Sequence, residues 1–207
     1  MRYLRLLITG DEGVGKTSLA SRFFLCQFVP DSDNHNPLDE AFRKQMVVGE
    51  ERVFLDVLDG SYYEWGQNPF MPDVAPFFGG LAFRRLYIRD AGCFFIVYSV
   101  ASRSSFENVA TIYQEVFRTK DPELYPAIIV GAKCDLADSD REVSTSEGRH
   151  LAEVLGCEFI ETSAKEDHNV TEAFTSLVKL FISRNPSQSV GHRSSPPRRH
   201  TARCVVI

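Results

Sequence analysis

The chain has 207 residues, 43% of them apolar, and a formal net charge of −5. That size suits one domain with a sizeable core plus a tail, and no apolar run is long enough to span a bilayer. Five scattered cysteines (Cys26, Cys93, Cys134, Cys157, Cys204) include no Cys-x-x-Cys pair, which argues against a disulfide framework or structural zinc and suits a reducing cytosol. No charged-then-apolar leader opens the chain. Four arginines (Arg193, Arg198, Arg199, Arg203) and no acid lie between Pro186 and Ile207, so the body is more acidic than the whole. Such a body is a poor partner for nucleic acid, whereas the basic tail suits an anionic surface such as the inner face of a membrane.

Taken in chain order, Arg2–Thr9 reads as a strand, followed by a glycine-rich loop and a helix over Ser18–Phe28. Phe42–Val48 and Arg52–Leu58 flank Gly49-Glu50 as a hairpin. The stretch from Ser61 to Phe83 breaks the pattern, with Tyr62, Tyr63, Trp65, Phe70, Phe77, Phe78 and Phe83 around Gly79-Gly80. Cys93–Tyr98 and Ala127–Val130 are continuous apolar runs, as buried parallel strands require, and Cys157–Ile160 is a weaker one. Helices are expected at Ser105–Thr119, Ser146–Leu155 and Val170–Ser183. Ser144 and Glu147 have capping-box spacing, and Asn169 stands where it can cap the last helix. Alternating strands and helices predict an α/β fold of three layers, a mostly parallel sheet with helices on both faces. Ligands of such folds sit at the carboxyl ends of the strands. The composition of Asn185–Arg203, rich in Ser, Pro and Arg, predicts a disordered tail. The expected organisation is a domain over 1–185 and a tail over 186–207.

The first loop carries the chemistry. Gly10-Asp11-Glu12-Gly13-Val14-Gly15-Lys16-Thr17 is Gly-x-x-x-x-Gly-Lys-Thr between a strand and a helix, the order a phosphate-binding loop needs. Its glycines let several N–H groups face one anion, and the helix adds the positive end of its dipole. Lys16 can reach the terminal phosphates as the catalytic cation, Thr17 can ligate Mg²⁺, and Ser18 completes the nucleotide-binding run.

Three further motifs resemble those of Ras-type small GTPases. Gly131-Ala132-Lys133-Cys134-Asp135-Leu136 is similar to the Asn-Lys-x-Asp guanine motif. Glu161-Thr162-Ser163-Ala164-Lys165 matches the second guanine-contacting segment completely. Leu55-Asp56-Val57-Leu58-Asp59 resembles the Mg²⁺-binding strand end. The chain closes on Cys204-Val205-Val206-Ile207, which resembles a prenylation box. Order and spacing agree over residues 3 to about 184, and Phe28-Val29 and Arg43-Lys44-Gln45 support the Ras branch. The resemblance implies a P-loop GTPase fold that binds GTP and GDP with Mg²⁺. Lys133, Asp135, Ser163, Ala164 and Lys165 then contact the base, and Thr17 and Asp59 serve the metal directly or through water. A carboxylate at Asp135 can accept from both N1–H and the exocyclic amine of guanine, which adenine cannot match. Asp31, Asp33, Asp39 and Glu40 lie where the family presents its effector-binding edge, although an ordinary solvated loop would also carry them.

The departures fall on the hydrolytic parts. Where the family has Asp-Thr-Ala-Gly-Gln, this chain has Asp59-Gly60-Ser61-Tyr62-Tyr63. The Gly that senses the γ-phosphate becomes Tyr62, and the Gln that orients water becomes Tyr63, a bulky phenol without the paired donor and acceptor of an amide. The first switch reads Asp33-Asn34-His35-Asn36-Pro37 and lacks the family's Thr. Glu12 stands where the Ras branch has Gly, and faces either the phosphates or solvent. Ala132 replaces the Asn that ties the base loop to the phosphate loop. The aromatic stretch within 61–83 includes an insertion, read either as a second apolar patch on the core or as a partner surface.

These residues imply a guanine-nucleotide signalling switch with impaired hydrolysis, protein effectors and regulators as partners, and a place on the cytoplasmic face of the plasma membrane or another membrane. Prenylated Cys204 and the tail arginines would supply the two anchoring signals. The alternative is a GTP-binding scaffold that does not cycle and acts through its aromatic insertion. An ATP-using enzyme fits Asp135 and Ser163-Ala164-Lys165 poorly.

Overall fold

The computed structural model describes residues 1–28, 42–59, 85–118 and 120–186. Six strands, β1 (Arg2–Gly10), β2 (Arg43–Val48), β3 (Glu51–Asp59), β4 (Cys93–Ser99), β5 (Ala127–Ala132) and β6 (Glu158–Thr162), form one sheet in the order β2-β3-β1-β4-β5-β6. Among the described strands, only the β2–β3 hairpin is antiparallel; the other neighbours pair in parallel. The helices are α1 (Lys16–Leu25), α2 (Arg103–Glu107), α3 (Val109–Phe117), α4 (Thr145–Leu155) and α5 (Val170–Arg184), and residues 85–90 are also helical. The expected α/β class with a mostly parallel sheet is therefore observed.

The apolar runs explain the layering. All seven residues of β4 are buried, because helices cover both of its faces. Phe95 and Val97 join Ile128, Val130, Leu19, Phe23 and Phe174 on the face covered by α1 and α5. Phe94, Ile96 and Tyr98 join Ile129, Ile112, Val116 and Ala152 on the face covered by α3 and α4. The rings of Phe23 and Phe174 stack with centroids 3.9 Å apart and lock α1 to α5. Among the described residues, no helix is long and apolar enough to cross a membrane. Cys26, Cys93, Cys134 and Cys157 are free thiols.

Several local expectations are corrected. The first helix ends at Leu25, short of Phe28, because Cys26 turns left-handed (φ 57°) and donates its N–H back to the Arg22 carbonyl. The expected helix over Ser105–Thr119 is two helices with Asn108 as the joint. Asn169 occupies the N-cap of α5 but makes no side-chain cap; its amide donates instead to the Glu161 carbonyl at 2.9 Å. The helix at 85–90 was not foreseen, since the aromatic stretch obscures its beginning. By contrast, Ser144 and Glu147 form the expected capping box at α4. Hydrogen bonds from Arg103 and Ser144 hold the Glu147 carboxyl down at about 2.

The strand leading to Asp59 is braced by charge. Asp56 on β3 lies opposite Arg5 of β1 and Arg43 of β2. Its Oδ1 accepts from Arg43 Nε at 2.9 Å, and its Oδ2 from Tyr3 Oη and from Arg5 Nη2 at 3.3 Å. Burial pushes the Asp56 carboxyl up, but the Tyr3, Arg43 and Arg5 hydrogen bonds outweigh it and hold the group below its ordinary value. The stabilisation is therefore complete above the ordinary carboxylate range and is lost as pH falls through the depressed native value. Asp56→Asn should destabilise the domain by about 1–2 kcal/mol at neutral pH. In denaturant titrations the gap to wild type should close on acidification; a gap independent of pH would refute this account.

Candidate functional site

The loop after β1 can turn only because of its first glycine. A Cβ on Gly10 (φ 150°) would lie 2.1 Å from the Val97 carbonyl oxygen, so any other residue would strike β4. Gly15 (φ 102°) is the left-handed N-cap of α1, and its carbonyl accepts the Leu19 N–H at 2.9 Å. The helix thus begins at Lys16, with its positive end on the loop. Lys16 is buried, and its Nζ donates to the carbonyls of Gly10 at 2.8 Å and Asp11 at 2.5 Å. Thr17 follows in the first turn. Ile8 pairs in register with Asp59, which brings the end of β3 beside the strand that feeds the loop. A Thr hydroxyl and an Asp carboxylate are hard oxygen donors that suit Mg²⁺, and these two residues would hold it.

The base loop begins where β5 ends. Lys133 adopts a left-handed conformation (φ 65°), which breaks the strand and starts a turn closed by the Leu136 N–H on the Lys133 carbonyl at 3.2 Å. Lys133 Nζ reaches back to the Gly13 carbonyl at 2.7 Å. Ala132 has no side-chain donor for such a link, and the side chain of Lys133, one residue later, joins the base loop to the phosphate loop. Asp135 has its side chain 7% exposed, and its Oδ1 accepts from Ser163 Oγ at 2.6 Å. Ser163 Oγ in turn accepts the Glu166 N–H at 3.0 Å, and Lys165 Nζ lies 3.9 Å from Asp135 Oδ2. The carboxylate is thus fixed before any ligand arrives. Burial, then Glu161 and Asp135, push the Cys134 thiol up to about 11, so it stays neutral inside this loop.

Gly15, Ser18, Lys133, Asp135, Ala164 and Lys165 together line one cavity of about 220 Å³. Ser163 is fully buried behind it and acts on Asp135. Phe28, Leu19, Ala132, Leu136 and Thr162 complete the lining, and none of them was among the site residues expected from sequence. Arg22 was also missed; its Nε donates to the Ala164 carbonyl at 2.6 Å and its Nη2 to that of Lys165 at 3.2 Å, which ties α1 to the second base segment. Arg141 makes a two-toothed pair with Glu161 (2.7 and 3.2 Å) and steadies the approach to Thr162. The side chain of Asp59 lies outside the described residues, as do Asp31, Asp33, Asp39 and Glu40, the aromatic stretch within 61–83, and Cys204.

The two acids of the phosphate loop are handled differently. Glu12 is exposed. Asp11 is partly buried, and its Oδ1 accepts from Asn108 Nδ2 at 2.5 Å, across 97 positions of sequence. Asn108, the joint between α2 and α3, thereby fixes a carboxylate that would otherwise be free to approach the anion site. Asn108→Ala should weaken GDP binding by about tenfold, a loss of ~1.4 kcal/mol. The same change in an Asp11→Asn background should cost clearly less, as titration with a fluorescent GDP would reveal. Equal losses in the two backgrounds would rule out a role for the Asp11 charge.

The Ras family model matches residues 5–183. The Ras-like protein rasC of Dictyostelium discoideum is 38% identical over 206 residues, covering 100% of this chain and 99% of its own. A Ras-like protein of Laccaria bicolor is 41% identical over 190 residues, 91% of this chain and 82% of its own. With the Ras family model matching residues 5–183 and relatives of 38–41% identity over most of the chain, the chain belongs to the Ras family of small GTPases.

Proposed function

We propose that this Ras-family GTPase is a membrane-anchored switch that binds GTP and GDP firmly but hydrolyses GTP slowly. The observation that carries the reading is the sequence Asp59-Gly60-Ser61-Tyr62-Tyr63. Attack on the γ-phosphate needs a positioned water, which in this family is oriented by the Gln replaced here by Tyr63. A phenol offers no amide-like pair of donor and acceptor, and Tyr62 replaces the Gly whose N–H meets the γ-phosphate. The nucleotide-holding residues are kept: Lys16, Thr17, Asp135, Ser163, Ala164 and Lys165. Retention together with this loss favours a switch held long in its GTP state.

Single-turnover hydrolysis of bound GTP should be slow. It should resist activating proteins, which raise rates in relatives on the order of 10³–10⁵-fold. Tyr63→Gln alone should not restore that response, since Tyr62 remains. Turnover in the wild type as fast as that of a stimulated relative would overturn the proposal. Slow hydrolysis together with an effector affinity that is the same for both nucleotides would favour the non-cycling scaffold instead.

The anchoring half of the proposal rests on Cys204-Val205-Val206-Ile207 and the arginines before it. One prenyl chain gives marginal attachment, and each arginine near an anionic surface adds about 1 kcal/mol, screened by salt. Cys204→Ser should move the protein from the membrane pellet to the soluble fraction. Replacing Arg193, Arg198, Arg199 and Arg203 by Gln should weaken attachment without abolishing it. A Cys204→Ser protein that still pellets with membranes would exclude the prenyl anchor.

A further inference from the structure

Arg22 is half-buried and stands outside the cavity lining, yet its guanidinium serves three backbone carbonyls. Nε donates to Ala164 at 2.6 Å, Nη2 to Lys165 at 3.2 Å and Nη1 to Cys26 at 3.4 Å. The bond to Cys26 fixes the group to the end of its own helix, α1. The planar fork then reaches two successive carbonyls of the second base segment.

The Lys165 carbonyl is one side of a peptide unit whose other side is the Glu166 N–H. The unit is planar and trans, so these two groups point in opposite directions. The guanidinium takes the carbonyl, and the N–H donates to Ser163 Oγ at 3.0 Å. Ser163 is fully buried and has one O–H, which donates to Asp135 Oδ1 at 2.6 Å. Hydrogen bonds in series thus join a cation on α1 to the base-reading carboxylate, and every donor in the series points towards Asp135. A charge-assisted bond at the head of such a series polarises the peptide and strengthens each donor after it. Lys165 Nζ, 3.9 Å from Asp135 Oδ2 on a mostly exposed side chain, is a looser restraint.

Guanine offers two donors, N1–H and the exocyclic amine, so a carboxylate that reads both must present both oxygens in the plane of the base. A carboxylate free to turn about its last bond keeps one donor and loses the other. We infer that Arg22 is a positioning residue for base discrimination: through the 165–166 peptide and Ser163 it sets the plane of the Asp135 carboxylate, and with it the preference for a base that bears the exocyclic amine. The inference rests on the guanine-nucleotide reading of the cavity and adds to it a residue outside the lining.

Competition against a fluorescent GDP on the full chain with Mg²⁺ tests it, using GDP and inosine diphosphate, which lacks only the amine. Wild type should prefer GDP by about tenfold or more, as one hydrogen bond to a charged acceptor gives. Arg22→Met keeps an unbranched stem and removes every donor. It should lower that preference by about threefold or more, with GDP losing more affinity than inosine diphosphate. Arg22→Lys keeps the charge on a single ammonium and should fall between the two. In a Ser163→Ala background the series is already cut, so Arg22→Met should leave the preference unchanged. Equal losses for both nucleotides in Arg22→Met would reduce Arg22 to a packing role and overturn the inference. A drop in preference that persists in the Ser163→Ala background would overturn the route through Ser163. If Arg22→Met binds neither nucleotide, Arg22→Lys decides: a reduced preference supports the inference, and one equal to wild type overturns it. A wild type that binds both nucleotides alike would strike instead at the guanine reading of Asp135.

Discussion

The site depends on the register of the parallel strands: β4, β5 and β6 end level, and β1 ends two residues before β4. Gly10 pairs with Val97, Ser99 with Ala132, and Ala132 with Thr162. The phosphate loop, the base loop and the second base segment therefore leave the sheet along one edge. A parallel ladder slipped by one residue would turn every side chain to the wrong face. The fully buried β4 resists such a slip, because its two faces are packed against different helix layers. Gly10 makes the register usable, since its missing side chain lets the loop pass the Val97 carbonyl.

On that frame the loops are joined by side chains that reach across the edge. Lys133 holds the Gly13 carbonyl, Arg22 holds the carbonyls of Ala164 and Lys165, and Ser163 holds Asp135. Each link sets a side-chain donor on a backbone oxygen or a carboxylate, so the site is preorganised before a ligand is bound. The ammonium and guanidinium groups also leave the edge rich in positive charge where an anion is to be held.

Two residues on the same edge differ in what their surroundings offer them. The carboxylate of Asp11 in the phosphate loop accepts from Asn108 at the α2–α3 joint, so its charge is satisfied within the protein. Ala132 offers no polar group to its strand partner Thr162, whose hydroxyl has no partner among the described residues.

How much of this was legible beforehand follows the range of the interactions. The glycine-rich loop, the apolar strands, the hairpin at Gly49-Glu50 and the Ser144–Glu147 cap are local patterns, and the sequence determined them. It also marked Lys133, Asp135 and Ser163–Lys165 as candidates for the base site, because their spacing behind two strands is itself a local pattern, and the fold brings them to one end of the sheet. The tertiary structure alone decided which groups meet: Asn108 with Asp11, Lys133 with Gly13, Arg22 with Ala164, Asp56 with Arg5 and Arg43. It also decided that Asn169 serves the Glu161 carbonyl rather than a helix end, and that Phe28 and Thr162 belong to the cavity. Hydrogen bonds between residues distant in sequence leave no periodicity or spacing to read. They exist only once the sheet register has brought their partners within reach.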